Sequence, residues 1–218
     1  MKNLKKLILP LLSIGLMYML LVAFGSWYKM VPREKEKSEA INFAIPQMTE
    51  KAKEAKEYCE KNNMNTDFCI LIDMSIHSGK DRFFVYDLNK GLIIRECLVS
   101  HGCGENGWSL DDSKDSPTFS NVQDSHLSSL GKYKIGERGY SMFGVHTKYL
   151  LHGLEKTNSN ACKRDVVFHS WSVIDDQETY PAGTPEGWGC PAISDNNFRY
   201  VDELLKSQTK STLMWIYK

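Results

Sequence analysis

The stretch EGWGCPA, residues 186–192, holds the residue types that a nucleophilic site needs, at a spacing that displays them. Cys190 stands there between Gly189 and Pro191. Gly189 opens backbone conformations closed to other residues and lets the main chain come close to a substrate. Pro191 has no N–H and biases Cys190 towards an extended conformation. Oxyanion donors beside the thiol must therefore come from Cys190 itself, Gly189 or Trp188, not from the residue that follows. A thiol on such a turn, with N–H groups beside it, suits acyl transfer: sulfur attacks a carbonyl, and the donors hold the charge that develops on its oxygen. Half of a disulfide, a zinc ligand and a buried spacer are the competing roles for Cys190.

A thiol is a strong nucleophile only as the thiolate, so it needs a base or a cation nearby. His169 is the best candidate. It ends the apolar run VVF, where a strand leaves the core, and it precedes Cys190 by 21 residues (190 − 169). That is room for a loop that returns a second element alongside the strand. A buried, hydrogen-bonded structural histidine fits the same spacing. Zinc is a weaker reading. Cys97, His101, Cys103 and a distant His169 or Cys190 could be gathered, but no CxxC pair or HExxH run occurs.

The elements that must carry these residues are mainly β. Short β-type runs at 68–74, 82–88, 92–99, 131–136 and 165–169, with turn signals such as HSGKD and NKG between the early ones, predict an antiparallel β sandwich or barrel. A helix is expected near NNFRYVDELLKS, residues 196–207, capped by Asp195 or Asn196, and a last strand at STLMWIYK. Two polar stretches, 104–130 and 171–187, are longer than ordinary connections, and such loops often carry function.

The rest of the chain bounds where this site works. Lys+Arg and Asp+Glu both number 27, so the net charge is zero and no clustered positive face is offered to nucleic acid. Residues 7–24 carry no charge and follow Lys2, Lys5 and Lys6, which fits a membrane-spanning anchor or a secretory signal. Either places everything after about residue 28 outside the cytoplasmic membrane. The six cysteines then become disulfide candidates, with Cys59–Cys69 and Cys97–Cys103 as local pairs. The organisation expected is a signal anchor or signal peptide at 1–28, a charged helical linker at 29–65 ending in a helix on the domain edge, and a catalytic domain at 66–218.

The blocks LVSHGCG (98–104), FSN (119–121), SSLGKY (128–133), HGLEKTNSNACKRDVVFH (152–169) and WGCPAI (188–193) resemble, in order and spacing, the murein L,D-transpeptidase catalytic domain family. The resemblance spans about residues 68–217, essentially the whole globular part. It implies a β sandwich with one or two short helices, and a cysteine and histidine at one end. It makes Cys190 the nucleophile and His169 its base, with the carbonyl of Ser170 orienting the imidazole and Gly189 matching the family's glycine. Trp188, Gly187, His101, Asn121 and Arg164 become the substrate-side residues, shaping the pocket together with Ser129 and Asn158 rather than making bonds. Gly187 departs from the Ser or Thr usual there.

The resemblance implies acyl transfer on peptidoglycan stem peptides, with no metal and no cofactor. The third residue of a tetrapeptide stem would be joined to an amine of a neighbouring stem. An L,D-carboxypeptidase acting on the same stems, a non-catalytic wall-binding protein with a degraded site, and a zinc-dependent peptidase are the alternatives. An exported protein of the periplasm or cell envelope, held at the membrane if residues 7–24 are retained, is the expected setting.

Overall fold

The computed structural model describes residues 34–218, with side chains from residue 47 onward. The segment 7–24, expected to anchor the chain or export it, lies outside the described residues. Among those described, no helix is long and apolar enough to cross a membrane. One compact unit runs from Phe43 to Lys218.

Eight strands form one mixed sheet: β1 (Phe68–Asp73), β2 (Phe83–Asp87), β3 (Leu92–Cys97), β4 (Gly131–Tyr140), β5 (Thr147–Gly153), β6 (Val167–Ser170), β7 (Ala192–Ile193) and β8 (Leu213–Tyr217). Their order is β3-β2-β1-β8-β4-β5-β6-β7. Antiparallel pairing was expected throughout, but β8 runs parallel to β1 and β7 parallel to β6. The physical reason is that the last strand is not an edge. It inserts between β1 and β4, bonding both, and all five of its residues are buried. The strand β1, FCILID, is buried at every position as well, which is why it lacks the apolar–polar alternation of a one-faced strand.

The sheet bends back over its own core. Five steps separate β2 from β6 in the strand order, about 24 Å if the sheet were flat. Yet Phe83 and Phe168, one on each strand, stack with centroids 5.6 Å apart, and Phe198 meets Phe168 at 5.0 Å. The two ends of the sheet then join, since the Ser100 N–H donates to the Ala192 carbonyl at 2.9 Å. Truncating Phe168 to Ala in this packed centre costs about 3–5 kcal/mol.

Two helices flank the strands. In α1 (Glu34–Lys61), Met48, Ala52, Ala55 and Cys59 recur at helical spacing and pack on Leu71, Phe84 and Trp215, the outer face of β1, β2 and β8. The helix thus covers the outer face of β1, β2 and β8; its buried residues are mostly small, so the stretch reads as polar in sequence. In α2 (Asp195–Lys206), Phe198, Val201 and Leu205 enter the inner core. Its cap is Ser194 rather than Asp195 or Asn196, because the Ser194 hydroxyl accepts from the Asn197 N–H. Asp195 instead sits in the first turn, where a negative charge favours the helix dipole.

All six cysteines are free thiols, so the local disulfides expected from the sequence are not formed. Cys59 and Cys69 are both fully buried on the outer face of β1, while Cys97 points into the inner core, which Cys103 does not enter.

Candidate functional site

The short parallel pair β6–β7 places the two reactive side chains. His169 is in register with Ala192, and its N–H donates to the Pro191 carbonyl at 3.4 Å. Cys190, two residues before Ala192, comes alongside Val167, whose N–H donates to its Sγ at 3.4 Å. Val167 and His169 are i and i+2 on one strand and face the same way. Thiol and imidazole therefore open into one cleft of about 460 Å³, lined also by Arg164, Trp108, Trp171 and Trp188.

The hydrogen bonds fix the tautomer of His169. Its Nδ1 lies 2.9 Å from the Ser170 carbonyl, which can only accept, so Nδ1 carries the proton and Nε2 the lone pair. Burial pushes the imidazole below its ordinary 6.5, which keeps it neutral with its Nε2 lone pair unprotonated. The thiol is held neutral too. Burial pushes Cys190 up, while the Val167 N–H and the charges of Arg164 and Lys148 act in the opposite direction. At rest the thiol donates to the Asp165 carbonyl at 3.6 Å rather than to His169.

The loop before the thiol is pinned by its carbonyls and its upstream end. The Ser128 hydroxyl donates to the Gly189 carbonyl at 3.2 Å, and the Ser100 hydroxyl to the Cys190 carbonyl at 3.3 Å. Gly187 donates to the His101 carbonyl at 2.8 Å, and its own carbonyl accepts from Cys103 at 2.8 Å. The N–H groups of Trp188, Gly189 and Cys190 donate to no partner among the described residues. Gly189 has φ +97°, and a Cβ there would stand 2.5 Å from the Leu127 carbonyl oxygen, so only glycine fits. Gly187 is different: a Cβ would meet Trp171 at 3.9 Å, an ordinary contact. The backbone does not demand glycine at 187.

Arg164 lines the cleft, but its guanidinium is already committed. It donates to the Ser120 carbonyl at 2.9 Å, to the Ser129 and Ser125 hydroxyls at 2.6 and 3.2 Å, and to the Leu127 carbonyl. It thereby fixes the loop against which Gly189 leans. Trp188 is exposed on the rim and stacks on His126 at 4.9 Å.

Two other expected residues lie off the cleft. His101 is fully buried, with Nδ1 2.8 Å from Arg82 and Nε2 2.9 Å from the Ser113 hydroxyl, beside the carboxylate of Glu186. Asn121 braces a turn through Lys156, Ser159 and Asn160. Asn158 likewise ties Lys132 to Glu155. The zinc alternative is not assembled: Cys97 is in the core, His101 is engaged at both nitrogens, and no group of three metal-ligating side chains forms among the described residues.

Aromatic residues that the sequence reading did not single out complete the walls. Phe143 lies over His169 at 5.3 Å, and Trp108 stacks on Trp171 at 5.5 Å. Trp108 and Trp171 come from the two long polar stretches, so a tryptophan inside an otherwise polar loop was the available signal.

A family model described as the L,D-transpeptidase catalytic domain matches residues 38–217. No curated protein matches the chain. Among solved structures, an L,D-transpeptidase from Xylanimonas cellulosilytica is 12% identical, with a TM-score of 0.40, over 70% of this chain and 61% of that one. The helical cell shape determining protein Pgp2 from Campylobacter jejuni is 13% identical, with a TM-score of 0.40, over 69% and 47%. Bd1075 of Bdellovibrio bacteriovorus is 15% identical, with a TM-score of 0.41, over 72% and 49%. This chain therefore spans less than two thirds of the length of each of these three structures. With 38–217 covering nearly the whole globular unit, the chain belongs to the L,D-transpeptidase catalytic domain family.

Proposed function

We propose that the protein is a cysteine-dependent L,D-transpeptidase acting on peptidoglycan stem peptides outside the cytoplasmic membrane. The observation that supports this most is a thiol and a basic imidazole nitrogen opening into one cleft, beside three backbone N–H groups without a partner among the described residues. In this reading His169 Nε2 takes the Cys190 proton as sulfur attacks the carbonyl of the third stem residue. The oxyanion is held by N–H groups from Trp188, Gly189 and Cys190. The tetrahedral species collapses, the C–N bond to the terminal D-alanine breaks, and the leaving amine receives the proton from His169. A neighbouring stem's amine then attacks the thioester, His169 takes its proton, and the thiol is regenerated. Ser170 acts by holding the imidazole through its carbonyl, and Arg164 by fixing the loop beside Gly189 and favouring the thiolate. The basic start and apolar segment 7–24 would deliver the domain to this substrate.

The test is incubation of purified protein with tetrapeptide muropeptides, with products read by mass spectrometry. Crosslinked dimers with release of one D-alanine per link are expected. Release without dimers would instead identify a carboxypeptidase, and no turnover of any stem would overturn the reading.

A further inference from the structure

A second thiol–imidazole pair stands where β5 runs into the following turn, with His152 near the end of β5 and Cys162 in that turn. Cys162, exposed in the turn after β5, donates its S–H to the Leu151 carbonyl at 3.4 Å and has its Sγ 3.3 Å from His152 Nδ1, a second acceptor for the same proton. His152 in turn places Nε2 3.1 Å from the Glu137 carboxylate. A carboxylate only accepts, so Nε2 carries the proton and Nδ1 presents its lone pair to the thiol. Cysteine, imidazole and carboxylate thus stand each within hydrogen-bonding distance of the next, the arrangement in which a base is oriented by a third group.

The hairpin is shaped to allow it. Pairing between β4 and β5 slips between Ile135 and Arg138, leaving Gly136 and Glu137 in a bulge. Such bulges re-aim a side chain, and here Glu137 reaches His152, whose own strand partner is Lys134, instead of facing Tyr149 as an unbroken register would have it. Gly136 supplies the space: a Cβ there would run into Nε2 and Cδ2 of His152. Its φ is not left-handed, so the backbone does not require glycine; the imidazole does.

We propose that Cys162, backed by His152 and Glu137, is a second nucleophilic thiol that forms mixed disulfides with small disulfide compounds at the protein surface. The thiol proton passes to His152 Nδ1 as the sulfur attacks one sulfur of the incoming disulfide. The S–S bond of that compound breaks, its second sulfur leaves as a thiolate, and that thiolate takes up the proton. The product is a protein–compound mixed disulfide and one free thiol, with the small disulfide as the only oxidant. Of the six cysteines, Cys59, Cys69, Cys97 and Cys103 are buried, so Cys162 and the cleft's Cys190 are the two that such a compound can reach.

The experiment uses the full chain with Cys190→Ala, so that the cleft cannot compete, and dithiodipyridine as the neutral disulfide probe. One fast equivalent of pyridinethione is expected, with the adduct mapped to the Cys162 peptide. His152→Asn in that background should slow the reaction about fivefold or more, and Glu137→Gln by about twofold. Circular dichroism checks the fold; because Glu137 is a surface side chain 75% exposed, its variant decides the matter should His152→Asn be unstable. An unchanged rate in the folded variants overturns the proposal, since exposure alone would then explain the labelling. Modification of other cysteines with Cys162 left free overturns it equally.

Discussion

Cys190–His169 and Cys162–His152 are both thiol–imidazole pairs, built to opposite plans. In the first, a backbone carbonyl holds Nδ1–H and leaves the lone pair on Nε2; in the second, a carboxylate holds Nε2–H and leaves it on Nδ1. In the first pair the thiol donates to the Asp165 carbonyl, whereas in the second an exposed sulfur lies 3.3 Å from Nδ1. A carbonyl orients an imidazole without adding charge. A carboxylate orients it too, but brings a negative charge beside the ring. In the cleft, burial lowers His169 and raises Cys190, so both favour their neutral forms, whereas Cys162 lies exposed within hydrogen-bonding distance of its imidazole.

That contrast makes Cys190→Ala the variant with the largest effect. D-alanine release from tetrapeptide stems should fall about a thousandfold or more, the scale expected for loss of a covalent nucleophile. Cys162→Ser should leave the same release within about twofold of the parent, assayed side by side. Equal losses from the two changes would erase the distinction between the pairs.

His169→Asn comes next. Losing the base should cost about 10²–10⁴ in kcat/KM while the protein remains folded by circular dichroism. The pH profile sharpens the point. His169 must be neutral to act, and burial sets it below 6.5, so kcat/KM should hold down to and below that pH before falling about tenfold per unit. Cys190 is pushed up from its ordinary 9.0, so the neutral thiol persists across the plateau. An acid limb centred above 6.5 would show that burial does not govern His169.

Arg164→Ala should have a smaller effect, about tenfold in turnover, together with about 2–4 kcal/mol of stability measured by denaturant unfolding. It strips donors from the Ser120 and Leu127 carbonyls and slackens the loop behind Gly189. A fall in turnover with unchanged stability would instead point to direct contact of Arg164 with substrate.

How much of this was legible beforehand follows from the range of each interaction. Cys190 and His169 were readable as a candidate pair because Gly-Cys-Pro and an apolar run ending in histidine are local signals, and the structure opens both into one cleft. The strand β5 was missed although Thr147, Tyr149 and Leu151 alternate inward, a pattern within reach of a two-residue period. The parallel placement of β8 was not readable, since it depends on pairing residues near 70 with residues near 215. A helix on the domain edge was expected before β1, but not the residues that dock it, since Ala52, Ala55 and Cys59 carry little hydrophobic signal. His101 shows the limit of reading a motif block: the residue belongs to the loop that positions Gly187, but its ring is spent on Arg82 and Ser113. The bulge that joins Glu137 to His152 is likewise a property of register, not of composition.

The central claim is that Cys190 carries the acyl group, and peptide mapping of the trapped intermediate tests it most directly. Protein quenched in acid during turnover of a tetrapeptide muropeptide should carry one stem, less its D-alanine, as a thioester on the peptide that contains Cys190. The account is contradicted if D-alanine is released while the adduct sits on Cys162, or if the Cys190→Ala protein forms the same adduct.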